Sequence, residues 1–372
     1  MTPAPIASAA GGEPLVSIVL PAYNAEAHIS SAVGSVLAQS IPDWELLVID
    51  DGSTDATLKL AEWEAERDRR VQVHRMNRNS GVSAARNRAF EMARGRWIAI
   101  LDSDDLMAPD RLERLVTLGE RYGADMVSDN IVEFTCPDSP LHKFFKLHGD
   151  LTIDAEHYLR HTMFFHGSLH YGLLKPLFRA EAVRRTAQRY DERLRLAEDD
   201  DFYLRLLLEG LTLRVCASPF YFYRQHRDAS TQQITAKDVS ALAEASDRLL
   251  ADFTSHPLRA LLIQRYRAFQ RASNYLRLVE SLRSKDIMGA ISIAARWPSS
   301  LPLLRTPIQT MLNRVLGRVE EPAEDAELRG LLHETLRLAG EPAEACSPAD
   351  TDNPLQLRPI DRKNDQGNEP AL

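Results

Sequence analysis

Trp97-Ile98-Ala99-Ile100-Leu101-Asp102-Ser103-Asp104-Asp105 is an apolar run that ends abruptly in a cluster of carboxylates. The run is too short for a helix and is bounded by a polar turn, so it reads as a strand buried on both faces, with the acids beyond its carboxyl end. Similar runs precede it: Val16-Ser17-Ile18-Val19-Leu20, closed by Pro21; Leu46-Leu47-Val48-Ile49, closed by Asp50-Asp51-Gly52-Ser53-Thr54-Asp55; and Val71-Gln72-Val73-His74. Between the first two, Ile29, Ala32, Val33, Val36 and Leu37 recur at helical spacing, and a second stripe of Val82, Ala85, Ala89 and Ala93 leads into the quoted stretch. The β-α-β-α-β-α-β order predicts an α/β fold: a Rossmann-like, mostly parallel central sheet with helices on both faces, followed by a helical C-terminal region. In such sheets ligands bind beyond the carboxyl ends of the strands, where both acidic clusters lie.

Carboxylates gathered at a strand end repel one another unless a cation intervenes. Oxygen ligands suit Mg²⁺ or Mn²⁺, and such an ion bridges a protein carboxylate to the phosphates of a diphosphate. The alternative is plain turn chemistry, with Asp104 or Asp105 capping a helix that runs from Pro109. Asp50-Asp51 weighs against that alternative, because two acidic ends on one sheet describe one site; Gly52 and Ser53 supply the tight turn there.

The chain of 372 residues with a formal charge of −8 can bury one large core plus an appendage, and it lacks the basic excess of a general nucleic-acid binder. Its expected divisions are a loose leader over 1–14, a main domain over 15–235, a helical region over 236–319 and a charged, largely disordered tail over 320–372. Within the main domain, a regular first half over 15–122 is expected to be followed by a less regular half over 123–235 that reads as acceptor-side structure. There is no internal repeat. The leader lacks the basic start and apolar run of a signal peptide, and no apolar stretch approaches the ~20 residues of a membrane span. Cys136, Cys216 and Cys346 are widely spaced and form no CxxC pair, so neither a disulfide framework nor a zinc site is expected, and a cytoplasmic setting fits. Between Ile287 and Arg318, apolar residues such as Ile291 and Trp297 mix with Arg296, Arg305 and Arg314. That mixture suits an anionic membrane surface, or else helices packed on the main domain.

Four ordered segments carry a family resemblance: Val16-Ser17-Ile18-Val19-Leu20-Pro21-Ala22-Tyr23-Asn24, Val48-Ile49-Asp50-Asp51-Gly52-Ser53-Thr54-Asp55, Gly81-Val82-Ser83-Ala84-Ala85-Arg86-Asn87 and Leu101-Asp102-Ser103-Asp104-Asp105. Over about residues 15–230 the sequence resembles the inverting glycosyltransferases of family 2, which have the GT-A fold. The resemblance implies a nucleotide-sugar site built from Pro21, Tyr23, Asn24, Asp51, Arg86, Asp102, Ser103 and Asp104. In it Tyr23 stacks on the base, Asp51 accepts a hydrogen bond from it, Asp102 lies near ribose and diphosphate, and Asp104 binds the metal directly. On the residues alone, Tyr23 is an ordinary half-buried aromatic and Arg86 a solvated helix charge.

Glu198-Asp199-Asp200-Asp201-Phe202-Tyr203-Leu204-Arg205 reads by itself as acids at a helix start. By resemblance it carries the general base, with the pattern pointing to Asp199 and leaving Asp200 and Asp201 as alternative registers. Tyr223-Arg224-Gln225-His226 is similar to a loop over the diphosphate, which gives Arg224 to the donor and His226 to phosphate or metal. His166-Gly167-Ser168-Leu169-His170-Tyr171 either contacts the acceptor or is an ordinary loop. The layout is similar to bacterial exopolysaccharide enzymes of the succinoglycan type. It implies a UDP-hexose donor, glucose first, a lipid-linked oligosaccharide acceptor, Mg²⁺ or Mn²⁺, and a cytoplasmic or peripheral place at the inner face of the plasma membrane. A Mg²⁺-dependent phosphoryl-transfer enzyme fits less well for want of an evident partner lysine, and a catalytically inactive nucleotide-sugar-binding protein would not need all these groups. Neither a dinucleotide fingerprint nor a P-loop is present.

Overall fold

The computed structural model describes residues 12–162, 171–225, 235–298 and 326–341. Its first half runs β1 (Val16–Ala22), α1 (Ile29–Leu37), β2 (Trp44–Asp50), α2 (Thr57–Ala65), β3 (Val71–Arg75), α3 (Val82–Met92) and β4 (Trp97–Ile100). Every residue of β1, β2 and β4 is buried, as uninterrupted apolar strands between two helical layers require. β1 pairs in parallel with β2 on one side and β4 on the other, so successive crossovers leave in opposite directions. The carboxyl ends of β1, β2 and β4 therefore open around a topological switch point, where ligand crevices form.

The chain continues through β5 (Leu106–Met107), α4 (Arg111–Tyr122), β6 (Met126–Phe134), β7 (His142–Lys143), β8 (Leu151–Ile153), α5 (Ala155–His161), β9 (Leu177–Arg179), α6 (Ala180–Thr186), α7 (Glu198–Leu208) and β10 (Leu213–Arg224). These strands extend the same sheet, in the order β3-β2-β1-β4-β9-β6-β10-β5, with β7 and β8 at its margins. β9 runs antiparallel between β4 and β6, whereas β6 and β10 are a long parallel pair. One apolar core spans both halves, so packing does not break near residue 122.

Two buried ionic groups fix the strand ends. Glu45, inside β2, accepts from Ser17 Oγ at 2.6 Å, from the Arg94 backbone N–H at 2.9 Å and from the Arg94 guanidinium, while Gly95 N–H donates to Ser17 Oγ at 2.8 Å. A side chain at Gly95 would collide with the backbone of Ser17, so the turn into β4 closes only with glycine there. Arg111, the first residue of α4, is fully buried against Asp129 of β6 at 2.8 Å and also donates to the Lys175 carbonyl.

The helical region follows as α8 (Ala236–Asp252), capped by Thr235 and Asp238, then α9 (Arg259–Arg283) and α10 (Ile287–Arg296). α8 and α9 enclose a second core with Leu194, and α9 also touches α5. The expected tail needs correction: α11 (Ala326–Leu338) is an ordered helix. Leu328, Leu332 and Leu336 recur every fourth residue and bury against Leu106, Phe134 and Phe222, a stripe hidden in the sequence by its charged neighbours. Cys216 is free, and Cys346 lies outside the described residues. The leader over 1–11 and residues 299–325 and 342–372 lie outside the described residues.

Breaking the Arg111–Asp129 pair strands a buried charge. Arg111→Met is therefore expected to lower unfolding stability by about 3–5 kcal/mol in urea titration; a loss below about 1 kcal/mol, the scale of an exposed pair, would contradict this role.

Candidate active site

The loops after β1 and β2 hold each other. Asn24 adopts a left-handed backbone, φ 48°, with its Oδ1 accepting from Thr54 N–H at 2.9 Å while its own N–H donates to Ser53 Oγ at 3.0 Å. Pro21 is buried within β1, and Tyr23 is held out beside it at 47% exposure. Gly52 has φ 75°, and a Cβ there would come within 2.9 Å of the Arg78 backbone. Glycine is therefore required on both counts. Buried Asp51 accepts from the N–H groups of Ser80 and Gly81, each at 2.8 Å, and so fixes the loop that starts α3. Burial pushes its carboxyl up, and each oxygen keeps capacity for one more donor.

Arg86 and Lys175 lie at the centre. Arg86 is 2% exposed; its Nη2 donates to Asp102 at 2.8 Å, and its Nη1 donates to Glu198 at 2.8 Å and Asp199 at 3.0 Å. Lys175 Nζ bridges the other oxygens of the two aspartates, 2.8 Å from Asp102 and 3.0 Å from Asp199. Burial opposes both positive charges, yet Asp199 and Asp102 hold the Arg86 and Lys175 protons more firmly than usual. Burial likewise opposes ionisation of Asp102, but Lys175 and Arg86 hold its carboxyl well below the usual range. Two cations thus face three carboxylates, and burial together with Asp199 pushes the Glu198 carboxyl up.

Around this cluster, Tyr190 donates to Asp199 at 3.1 Å, stacks on Phe202 with centroids 4.2 Å apart, and is pinned by Asn87 through its N–H and carbonyl. The first turn of α7 fans its acids apart. Asp199 turns to Arg86 and Lys175, Asp200 is taken by Tyr158 at 2.8 Å and by Arg265 of α9, and Asp201 pairs with Arg205 at 2.9 Å. Of these three acids only Asp199 joins the Asp102 cluster. Gly172 allows the close approach, since a Cβ on it would lie 2.5 Å from the Asp200 Cβ.

The acids after β4 also separate. Asp105 is fully buried, accepting from Tyr221 Oη at 2.7 Å and Arg224 N–H at 2.8 Å, and burial pushes its carboxyl well up. Asp102 is committed to cations on both oxygens. Ser103 and Asp104 remain partly exposed at the turn. Among the described residues no group of three His, Cys, Asp or Glu is arranged to hold a metal. An ion carried largely by substrate phosphates needs only one or two protein carboxylates, and Asp104 lies partly exposed at this turn. His226 and the stretch 166–170 lie outside the described residues. Arg224 is buried, with Glu341 taking its guanidinium at 2.8 and 3.0 Å and the Asp104 carbonyl accepting from Nε at 2.9 Å.

The sequence reading missed Lys175, Tyr190, Arg265 and Glu341, because none belongs to a local motif. Lys175 also removes the stated ground against a phosphoryl-transfer enzyme, since a lysine does stand beside Asp102. Arg86 is no solvated charge.

Lys175→Met leaves Asp102 and Asp199 with Arg86 as their shared cation. In the wild type, Asp102 has a depressed folded pKa, so its contribution is present above its unfolded value and is lost as pH falls through the folded one. The variant is expected to lose about 3–5 kcal/mol of unfolding stability at pH 7 and less at about pH 3, below the ordinary aspartate value, where the wild type is itself losing the Asp102 contribution. Equal losses in urea titrations at the two pH values would contradict the electrostatic account.

Residues 17–174 match Glycosyl transferase family 2, and residues 97–312 match Glycosyl transferase family group 2. Over 321 residues the chain is 32% identical to the succinoglycan biosynthesis protein ExoO of Rhizobium meliloti (strain 1021), covering 85% of this chain and 91% of the relative. Over 105 residues it is 44% identical to the UDP-Glc:alpha-D-GlcNAc-diphosphoundecaprenol beta-1,3-glucosyltransferase WfgD of Escherichia coli, covering 28% of this chain and 40% of that one. The solved structure of S. aureus TarS 1–349 in complex with UDP-GlcNAc superposes with a TM-score of 0.54 at 17% identity, over 76% of this chain and 91% of that one, a likeness of fold. With its mixed sheet, its acids at the switch point and these relatives, the chain has the GT-A fold and belongs to glycosyltransferase family 2.

Proposed function

We propose that the chain transfers a hexose, glucose first, from a UDP-sugar to a hydroxyl of a lipid-linked oligosaccharide, with inversion, during bacterial exopolysaccharide or cell-surface polysaccharide synthesis. The observation that carries this reading is the pair of cations, Arg86 and Lys175, shared by Asp102 on the nucleotide side and Asp199 on the acceptor side. One buried charge network spans the two places an inverting displacement needs. The similarity to ExoO supports the pathway class, and the short match to WfgD supports glucose and a diphosphate-lipid acceptor. The neighbour holding UDP-GlcNAc supports uridine.

In this reading Tyr23 stacks on the base, while Asp51 accepts from uracil through the capacity left on its oxygens. Pro21, Asn24 and Ser103 shape the turns around the donor. Asp104, with His226, holds Mg²⁺ or Mn²⁺; when bound, the ion neutralises charge on the leaving diphosphate. That role is needed because Arg86 and Lys175 are already outnumbered by carboxylates. Arg224 turns to the diphosphate by exchanging the Glu341 carboxylate for phosphate, an anion of matching two-point geometry. Asp199 receives the acceptor proton as the hydroxyl attacks the anomeric carbon from the face opposite UDP. Its Oδ2 carries one bond, from Lys175, leaving a lone pair for that proton. A lipid-linked acceptor places the reaction at the inner face of the plasma membrane, with the protein cytoplasmic or peripheral.

Asp199→Asn is expected to keep donor affinity while reducing transfer by on the order of 10²–10⁴-fold, and transfer at the wild-type rate would remove Asp199 as the base. Asp104→Ala is expected to lower the calorimetric affinity for UDP with Mn²⁺ to the value measured in EDTA. An unchanged affinity with Mn²⁺ would contradict the metal role.

A further inference from the structure

The exposed large hydrophobic side chains are unevenly spread. Leu282, Ile287, Met288, Ile291 and Trp297 are 46%, 57%, 77%, 57% and 36% exposed, all within the end of α9, α10 and the residue after it. On a helix, positions 287, 288 and 291 share one arc. Ala290, off that arc, is the buried residue of α10, and the helix packs on α9. The apolar arc therefore points away from the protein, on the outer side of the helical region.

Charge separates the possible occupants. Between positions 277 and 297 the basic residues are Arg277, Arg283, Lys285 and Arg296, and the acids are Glu280 and Asp286. Asp286 is spent as the cap of α10, accepting from Gly289 N–H at 2.9 Å. None of the four cations forms an ion pair among the described residues. On a chain of formal charge −8, this corner thus joins exposed apolar side chains with unneutralised positive charge. A second copy meeting this face with its own across a two-fold axis would set these cations against their counterparts, whereas an anionic bilayer matches both properties: acyl chains take the apolar arc and lipid phosphates take the cations. No described helix is long and apolar enough to cross a membrane, so the contact is interfacial.

We propose that the α9–α10 corner is the surface on which this protein docks to an anionic lipid bilayer, with Ile287, Met288 and Ile291 inserted and Arg283 and Lys285 at the phosphate level. The inference deepens the reading of a lipid-linked acceptor. It is tested without donor or acceptor, so failure to dock leaves the transfer reading standing, and failure of transfer leaves docking measurable.

The full chain is mixed with vesicles of phosphatidylglycerol and phosphatidylcholine, or of phosphatidylcholine alone, and sedimented. The wild type is expected to co-sediment with the anionic vesicles, more weakly with the neutral ones, and to be released at about 0.5 M salt. The triple variant Ile287→Asp, Met288→Asp, Ile291→Asp is expected to bind anionic vesicles on the order of tenfold less, with unchanged UDP affinity and unchanged Tm. Binding equal to wild type would overturn the proposal. So would a wild-type dimer in light scattering that the variant abolishes without any vesicle binding, which would give the face to a second copy. A fall in Tm without vesicle binding would assign the face to the chain's own residues 299–325 and overturn it as well.

Discussion

Arg86 is buried in the middle of the molecule, and a guanidinium in that position must have its charge answered. Asp102 answers it from the turn after β4, Glu198 and Asp199 answer it from the first turn of α7, and Lys175 prevents the two aspartates from repelling one another. Removing Arg86 leaves Glu198 without its ion-pair partner and the two aspartates with Lys175 alone. The end of β4, the start of α7 and the approach to β9 are therefore held in one arrangement by electrostatics as much as by packing. Such a network is weak evidence for stability, since an apolar replacement of the whole set can be as stable. It is better evidence for chemistry, because charged groups buried together at the strand ends of such a sheet mark functional sites.

The rest of the fold protects this arrangement in depth. Asn87 fixes Tyr190, which donates to Asp199, and Arg111 holds the backbone of Lys175 from below through its pair with Asp129. Arg265 reaches from α9 to Asp200, one residue beyond Asp199, so the helical region is tied directly to the first turn of α7. At the other side of the sheet, Glu341 follows α11 and engages Arg224 above the turn that carries Asp104. Segments distant in sequence, one of them expected to lack structure, thus border the site.

The sheet was legible because its strands are buried on both faces and so appear as uninterrupted apolar runs; β1, β2 and β4 could hardly be anything else. Asp51, Asp102 and Asp104 were legible for a related reason, as acids directly after such a run stand at a strand end. Lys175 was not, since it sits between a 3₁₀ turn and a short strand with no periodic neighbour, and only tertiary folding brings it to Asp102. α11 was missed because its leucines are diluted by charged residues on the exposed face. The three separate fates of Asp102, Asp104 and Asp105 could not be read from a run of acids, because burial and partners, not order, distinguish them. The same holds for Asp199, Asp200 and Asp201, whose directions follow from helix geometry and from Arg265 and Arg205.

Nucleotide release across UDP-, GDP- and TDP-hexoses, with Mn²⁺ or Mg²⁺ and again in EDTA, tests the account most directly. Even slow hydrolysis without acceptor reports which donor the site recognises and whether a metal takes part. The expected result is release of UDP from a UDP-hexose, UDP-glucose foremost, that stops in EDTA. Release from GDP- or TDP-sugars alone, or UDP release undiminished by EDTA, would contradict it.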